Sequence, residues 1–317
     1  MTWRARTQRC SCAAAAAAVL LGASCGGRAE QIGPTPGRPA FDGEAALELV
    51  RTQVAFGPRV PGTDAHRAQL AWMVARLDSL APEVAVDTFT HTTTAGEELT
   101  LYNVSARFRP DVSRRILLLA HWDTRPRSDQ AADPEDRDVP VPGANDGASG
   151  TAVLLELARL FADVPPPMGV DLLLVDGEDW GPGAEDMFLG ARRYASRLPE
   201  EGRPIYGLLL DMVGDTDPSF PPEELSAQHA SIVVRKVRAA AERLGYDAYF
   251  PSRVIAQVYD DHVALIEAGL PTANLVDFEY GPSNRYWHTP QDDLEHVSAA
   301  TLGMIGEVVA ELIYSGG

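Results

Sequence analysis

Three apolar segments place the strongest limit on what this chain can fold into. They read RRILLLAH, GVDLLLV and IYGLLLDMVG, at residues 114–121, 169–175 and 205–214. Strands that are apolar throughout are typical of a sheet covered on both faces, and segments with helical spacing separate these three. The alternation predicts one α/β domain, a three-layer sandwich with a mixed, largely parallel central sheet flanked by helices.

Other segments predict the layers around that sheet. Residues 84–91 and 100–108 alternate polar and apolar side chains, which is typical of half-buried strands, and 271–280 is predicted as a further strand. A polar loop rich in Pro and Asp runs from 122 to 146, and loops of that length inside a compact domain are usually functional or disordered. Apolar residues spaced three and four apart predict helices at 44–56, 64–80, 147–164, 230–246, 260–270 and 298–314.

The charge balance limits the partners of the protein. Among 317 residues, 45 are acidic and 27 are Lys or Arg, which gives a formal net charge of −18. This balance argues against nucleic acid as a partner and against attraction of the body to anionic membranes. An acidic surface favours metal ions and substrates with a free amino group, and it serves solubility equally well, so composition leaves both explanations open.

The N-terminus has the composition of an export signal. Three Arg and no acid in the first ten residues, followed by a short run of Ala, Val and Leu, predict a signal peptide at 1–24. The stretch LLGASC resembles the lipobox of bacterial lipoproteins, although Gly22 stands where Leu is usual, and this resemblance implies lipidation of Cys25. Ordinary cleavage that leaves a free thiol is the alternative. We expect an exported lipoprotein that faces the periplasm or cell exterior and touches the membrane only through this anchor.

Residues 25–40 are rich in Gly and Pro and show no apolar period. They predict a flexible tether before a catalytic domain at 41–317. The only cysteines are Cys10, Cys12 and Cys25, so the body has no disulfide. Any metal ion must therefore be held by carboxylates and imidazoles.

Polar residues follow the ends of the predicted strands. In an open α/β sheet, ligands bind beyond the carboxyl ends of the strands, so these side chains are expected to converge. Two imidazoles and several carboxylates form a ligand set that suits zinc where cysteine is absent. The candidates are His121, Asp123, Asp146, Glu178, Asp179, Asp211 and His288.

Spacing separates the roles of neighbouring candidates. His121 and Asp123 are two residues apart, so in an extended segment they face the same side, and Asp123 can orient the imidazole of His121. Glu178 and Asp179 are adjacent and face different ways. One can hold a metal ion while the other points at the substrate as a general base. The preceding acid, Asp176, is predicted as the structural last residue of its strand.

Five motifs in this order, HWD, GANDGASG, DGEDWG, LLLDMVG and WHTPQDD, resemble the zinc aminopeptidase superfamily with co-catalytic metals. Glutaminyl-peptide cyclotransferases form one of its branches. The resemblance implies that Asp146, Asp179 and His288 hold one zinc ion, with Glu178 as the acid and base. In the two-metal aminopeptidases, residues matching His121 and Asp211 hold a second zinc ion, with the residue matching Asp146 as the bridge.

Further matches bear on the branch. The stretches RVPGTDAH, DPSFPP and YDDHVALIEAGLP, and Trp287 before His288, resemble the cyclotransferases. That resemblance implies a hydrogen-bond network in which Asp211 and Asp260 act with Glu178, and a substrate pocket lined by Trp287. The stretch GANDGASG resembles the peptidase form instead. Asp292, Asp293 and Glu295 are predicted as a helix N-terminal charge cluster, and Trp180 is left open as pocket wall or core.

Three functions follow as hypotheses. The first is a zinc-dependent cyclotransferase that converts N-terminal Gln of peptides or proteins to pyroglutamate and ammonia with one zinc ion. The second is an aminopeptidase with two zinc ions that hydrolyses the first peptide bond. The third, a non-catalytic receptor-like module, predicts lost ligands, whereas every ligand candidate and Glu178 are present.

Overall fold

The computed structural model describes residues 33–317. Six strands form one sheet: β1 (Glu83–Thr92), β2 (Glu98–Phe108), β3 (Arg115–His121), β4 (Gly169–Val175), β5 (Gly207–Asp211) and β6 (Thr272–Val276). Eight α-helices surround it: α1 (Gly43–Ala55), α2 (Asp64–Asp78), α3 (Ala148–Asp163), α4 (Leu189–Ala195), α5 (Glu224–His229), α6 (Ser231–Leu244), α7 (Asp261–Glu267) and α8 (Ala299–Tyr314).

The sheet order is β1-β2-β4-β3-β5-β6. The pairs β1/β2 and β2/β4 are antiparallel, whereas β3/β4, β3/β5 and β5/β6 are parallel. The sheet is therefore mixed, with a parallel half that contains the three apolar segments. This confirms the predicted fold class.

Both faces of the parallel half are covered because successive side chains of a strand point to opposite faces. In β3, Leu118 lies in the main core beneath the helices α1, α3 and α8. Its neighbours Leu117 and Leu119 lie in a second cluster that includes Leu265 of α7. The side chains of β3 and β4 are buried along their whole length, which explains the lack of polar alternation.

Element positions agree closely with the patterns in the sequence. Strand β4 coincides with the apolar segment 169–175, so Asp176, predicted as the last residue of the strand, lies just beyond it. The ends of the predicted helices differ from the observed ends by a few residues at most. Helices α4 and α5 were not predicted, because seven and six residues are too few to show a helical period. The N-terminus of α5 is capped by the side chain of Glu223, which accepts hydrogen bonds from the N–H groups of Leu225 and Ser226.

Specific contacts begin before the predicted domain start at residue 41. The backbone N–H and hydroxyl of Thr35 both donate to the carboxylate of Glu311 on α8, at 2.9 and 2.8 Å. Arg38 forms ion pairs with Glu307 and Glu311, so the segment 35–41 is attached to α8. Of the predicted tether, residues 25–32 lie outside the described part, as do the signal peptide and Cys25. Within residues 33–317, no helix is long and apolar enough to cross a membrane.

Candidate metal centre and active site

The predicted site residues meet at the carboxyl edge of the parallel strands. His121 ends β3 and Asp211 ends β5, and the parallel register that pairs Leu119 with Leu209 places them side by side. Glu178 and Asp179 follow β4, which lies on the other side of β3. Asp146 precedes α3, and His288 comes from the long segment between β6 and α8.

The first cluster consists of Asp146, Asp179 and His288, all buried. One ligand atom from each residue lies within 4.8 Å of the others. His288 Nε2 is 3.3 Å from Asp179 Oδ1 and 3.5 Å from Asp146 Oδ2. We refer to this group as the His288 cluster.

The second cluster consists of His121, Asp146 and Asp211 and is called the His121 cluster. His121 Nε2 is 3.0 Å from Asp146 Oδ1 and 3.1 Å from Asp211 Oδ1. Asp146 thus presents one carboxylate oxygen to each imidazole. A carboxylate in this position can bridge two metal ions or serve one of them alone.

Two buried carboxylates hold the loops that carry these ligands. Asp123 accepts hydrogen bonds from the backbone N–H groups of Glu178 and Asp179, at 3.2 and 3.1 Å. Its Oδ1 also lies 3.7 Å from His121 Nδ1, on the side of the ring that faces away from the cluster. That contact is an ion-pair distance and not a hydrogen bond, so the orientation of His121 by Asp123 stays a prediction, whereas Asp123 fixes the acidic pair directly.

Asp292 holds the opposite loop in the same way. It accepts hydrogen bonds from the N–H groups of Asn145 and Asp146, at 2.7 and 3.1 Å, and from the Tyr280 hydroxyl at 2.9 Å. The prediction that Asp292 belongs to a helix N-terminal charge cluster is wrong, because its side chain is fully buried. Burial and the charge of Asp146 raise the pKa of Asp292 to about 7.

Local backbone geometry fits the crowding of the site. Gly147 has φ of +95°, and a Cβ there would lie 2.5 Å from the Asp123 carbonyl oxygen and 3.2 Å from the His121 ring. His288 and Met212 have φ of +54° and +47°. Left-handed conformations cost a residue with a side chain about 1–2 kcal/mol, and such residues cluster at functional sites.

Burial of several acids around Glu178 changes their proton affinity. Burial and the charge of Asp179 raise the pKa of Glu178 well above its usual range, and Asp260 adds to this. Burial and the charges of Asp211 and Asp261 likewise raise the pKa of Asp260 well above its usual range. Burial also raises the pKa of Asp261 to about 8. Each of these acids therefore binds a proton more tightly than an exposed carboxylate does.

For the two imidazoles, burial and the neighbouring carboxylates shift the pKa in opposite directions. Burial lowers the pKa of His288, but Asp179 and Asp129 outweigh it and raise the pKa to about 9. Burial also lowers the pKa of His121, and the carboxylates of Asp123 and Asp146 more than offset it. Imidazole nitrogens aimed at crowded, buried carboxylates are the donor set and charge that zinc requires. The residues therefore fit zinc.

Two tryptophans flank the site. The ring of Trp287 stacks on the His288 imidazole with 3.8 Å between centroids, and Phe278 packs edge-on against Trp287 at 5.3 Å. Trp287 is half-buried, so part of its surface is available to a substrate. Trp180, in contrast, belongs to a small hydrophobic core with Leu99, Leu101 and other apolar residues, which resolves it as core.

Residues 103–313 match the model of peptidase family M28. The chain belongs to this family. The membership confirms the resemblance to zinc aminopeptidases that the five motifs indicated. The matched region contains every predicted metal ligand and Glu178.

Curated M28-type relatives include both enzyme classes. Aminopeptidase YwaD of Bacillus subtilis is 31% identical over 65% of this chain, which spans 41% of the length of that relative. Glutaminyl-peptide cyclotransferase of Drosophila melanogaster is 26% identical over 80% of this chain and 75% of its own length. Among solved structures, glutaminyl cyclase of Tannerella forsythia superposes with a TM-score of 0.84 and 35% identity, over 88% of this chain and 100% of that one.

Sequence patterns missed three further residues at the site of this M28 chain. Arg125 and Asp129 lie in the polar loop that follows β3 and contact the His288 cluster. The length of that loop signalled function, but no periodicity indicates which of its side chains turn inward. Asp261 was also missed: it is buried, and neither carboxylate oxygen has a hydrogen-bond partner among residues 33–317.

Proposed function

We propose that this protein is a glutaminyl-peptide cyclotransferase that uses one zinc ion, held by Asp146, Asp179 and His288. Its substrate would be a peptide or protein with N-terminal Gln, and its products a pyroglutamyl peptide and ammonia. The glutaminyl cyclases among its relatives support this proposal, because one of them matches the chain over its full solved length at 35% identity.

The observation that carries the proposal is the group of acids that lies beside the His288 cluster. The charge of Asp260 acts on Glu178, and the charge of Asp211 acts on Asp260. Asp260 is further fixed by Asn274, whose amide donates to Asp260 Oδ2 at 2.6 Å. Such a group suits a reaction that moves a proton between two nitrogen atoms, which cyclisation requires.

The chemistry needs three contributions. Bound zinc would polarise the side-chain amide carbonyl of Gln. Glu178 takes a proton from the substrate α-amine as its nitrogen forms a bond to the amide carbon. The carbon–nitrogen bond of the side-chain amide then breaks, and Glu178 returns the proton to the departing nitrogen, which leaves as ammonia.

The remaining residues position the substrate. The carboxylate of Asp211 attracts the α-amino group, so that it lies next to Glu178, and Asp260 supports Glu178. Trp287 provides an apolar wall over His288, against which the methylene groups of Gln can pack. Because Glu178 is only 9% exposed, bulk water has little access to the reacting atoms.

One observation favours the aminopeptidase alternative. Asp146 offers an oxygen to the His121 cluster as well, so the geometry also accommodates a second zinc ion. In that case Glu178 would deprotonate a water molecule that attacks the first peptide bond.

Both activities can be measured on one zinc-loaded preparation. We expect ammonia release from a Gln-initiated peptide, one zinc ion per chain, and little release of a chromogenic amine from an aminoacyl substrate. Glu178→Gln is the control, because it should lower the rate of cyclisation roughly 10³-fold and leave the metal content unchanged. Amine release with two zinc ions per chain, and no ammonia from the Gln peptide, would establish the peptidase instead.

We also propose export and lipid anchoring at Cys25, supported by the signal-like residues 1–24. Mass spectrometry of the mature N-terminus would detect the lipid. Cys25→Ala should shift the protein from the membrane fraction to the soluble fraction.

A further inference from the structure

We infer that Arg125 and Asp129 form a brace behind the His288 cluster, which fixes the orientation of Asp179 and His288 and thereby sets the zinc affinity of the site. The inference rests on the zinc site of the proposed function, but not on the reaction catalysed there. Neither residue is a candidate ligand, and both act as positioning residues.

Arg125 holds the metal ligand Asp179 directly. Its Nη1 is 2.7 Å from Asp179 Oδ1, and both side chains are almost completely buried. The other oxygen, Asp179 Oδ2, is buried and has no hydrogen-bond partner among the described residues. Asp179 Oδ1 also faces His288 Nε2 at 3.3 Å, so the guanidinium fixes the carboxylate at the edge of the cluster while both oxygens stay within reach of a metal ion.

Asp129 connects this contact to the second ligand of the cluster. Its Oδ2 accepts hydrogen bonds from both Nη2 and Nε of Arg125, at 2.6 and 3.1 Å. Asp129 Oδ1 lies 3.4 Å from Nδ1 of His288, an ion-pair contact without hydrogen-bond geometry, while Nε2 of that ring faces the cluster. Carboxylates behind a histidine ligand fix its orientation and strengthen it as a donor.

The backbone keeps the brace in place. The carbonyl oxygen of His288 accepts a hydrogen bond from the N–H of Gln130, the residue after Asp129, at 3.3 Å. Arg125 also packs against Gly181, where an added Cβ would lie 2.7 Å from the guanidinium. The loop that follows β3 therefore touches both ligands that the His288 cluster does not share with the His121 cluster.

The brace compensates for the short side chain of Asp179. An Asp has one methylene fewer than Glu and fewer rotamers that reach a metal ion, so its orientation must be fixed from outside. The planar guanidinium of Arg125 fixes this orientation. A lysine ammonium is a point charge that cannot pair with two carboxylates in a fixed geometry. Charge and orientation can therefore be tested separately.

Arg125→Lys tests orientation at constant charge. We expect its zinc affinity to be about tenfold or more below that of the wild type, because changes behind a metal ligand typically cost 10–100-fold in affinity. Competition titration with a chelator measures this without turnover. Arg127→Lys is the matched control, since Arg127 is half-buried on the same loop and forms no ion pair within residues 33–317. Equal zinc affinity in the two variants would overturn the inference.

A double-mutant cycle with Asp179→Glu tests whether the brace acts through the short side chain of Asp179. In the Asp179→Glu background, the longer side chain reaches the metal without help from the guanidinium. Arg125→Lys should therefore lower zinc affinity less than about threefold there, and a double-mutant cycle detects this loss of coupling. An undiminished loss in that background would contradict the inference.

If Arg125→Lys fails to fold, as judged by circular dichroism of the zinc-free protein, Asp129→Asn provides the test, and it should also weaken zinc binding about tenfold.

Failure of the brace and failure of the proposed function are distinguishable. A wild-type protein that binds zinc but releases no ammonia from a Gln peptide removes the cyclotransferase and leaves the brace to be judged by affinities alone. Zinc binding that is insensitive to Arg125 removes the brace and leaves the cyclotransferase intact.

Discussion

The His288 cluster and the His121 cluster share Asp146 and the same donor types, yet their surroundings differ. Behind the His288 cluster lie the cation Arg125 and its partner Asp129. Around the His121 cluster lie further acids, of which Glu178 approaches the His121 ring to 3.9 Å. In the His288 cluster the cation Arg125 offsets negative charge, whereas around the His121 cluster negative charge accumulates. The His288 cluster therefore suits a fixed metal ion, and the His121 cluster suits protons and a substrate amine.

The largest expected effect is that of removing the histidine of each cluster, which distinguishes the two clusters. We expect His288→Ala to lose the bound zinc and to lower kcat/KM roughly 10⁴-fold, because the metal supplies several kcal/mol of transition-state stabilisation. His121→Ala should keep its zinc and retain more activity. Metal analysis and ammonia release measure both variants, and loss of one of two zinc ions in His121→Ala would show that both clusters bind metal.

The next effect concerns the proton carrier between the clusters. Glu178→Gln should lower kcat roughly 10³-fold, the contribution typical of a general acid and base. Zinc content should not change, because Glu178 belongs to neither candidate ligand group. A variant with full activity would remove Glu178 from the mechanism.

Zinc binding should depend on pH. In the metal-free protein the pKa of His288 is about 9, raised by carboxylates, so at neutral pH zinc must displace a proton. Affinity should therefore rise with pH up to about 9, by roughly tenfold per unit for each proton released. Chelator competition at pH 6, 7 and 8 measures the slope, and a flat profile would show that His288 is neutral before it binds zinc.

The smallest effect concerns Asp292, which supports the ligand shared by both clusters. Asp292→Asn places an amide N–H group opposite backbone donors and should reduce the free energy of unfolding by about 1–3 kcal/mol. Urea unfolding of the zinc-free protein measures this. Asp293→Asn is the control, because that side chain is half-buried and caps only a short 3₁₀ turn. Similar losses in both variants would contradict a specific role for Asp292.

The strands and the meeting of their polar ends could be predicted, because apolar runs and strand-end acids are local patterns. His121, Asp211 and Glu178 follow directly from the ends of β3, β5 and β4. Arg125 and Asp292 could not be predicted, since they reach the site through irregular segments whose path depends on contacts distant in the sequence. Whether Trp180 lies in the core or in the pocket wall could not be predicted either, because only its packing against β2 shows that it is core.

The position of Asp146 limits how this site can change. An altered residue 146 would disturb both imidazoles at once, so variation that preserves a working enzyme must occur where a side chain touches one cluster only. His121 and Asp211 are such positions on one side, and Arg125 and Asp129 on the other. The set of residues around the His121 cluster could therefore change over evolution while the loop that carries Asp146 stayed unchanged.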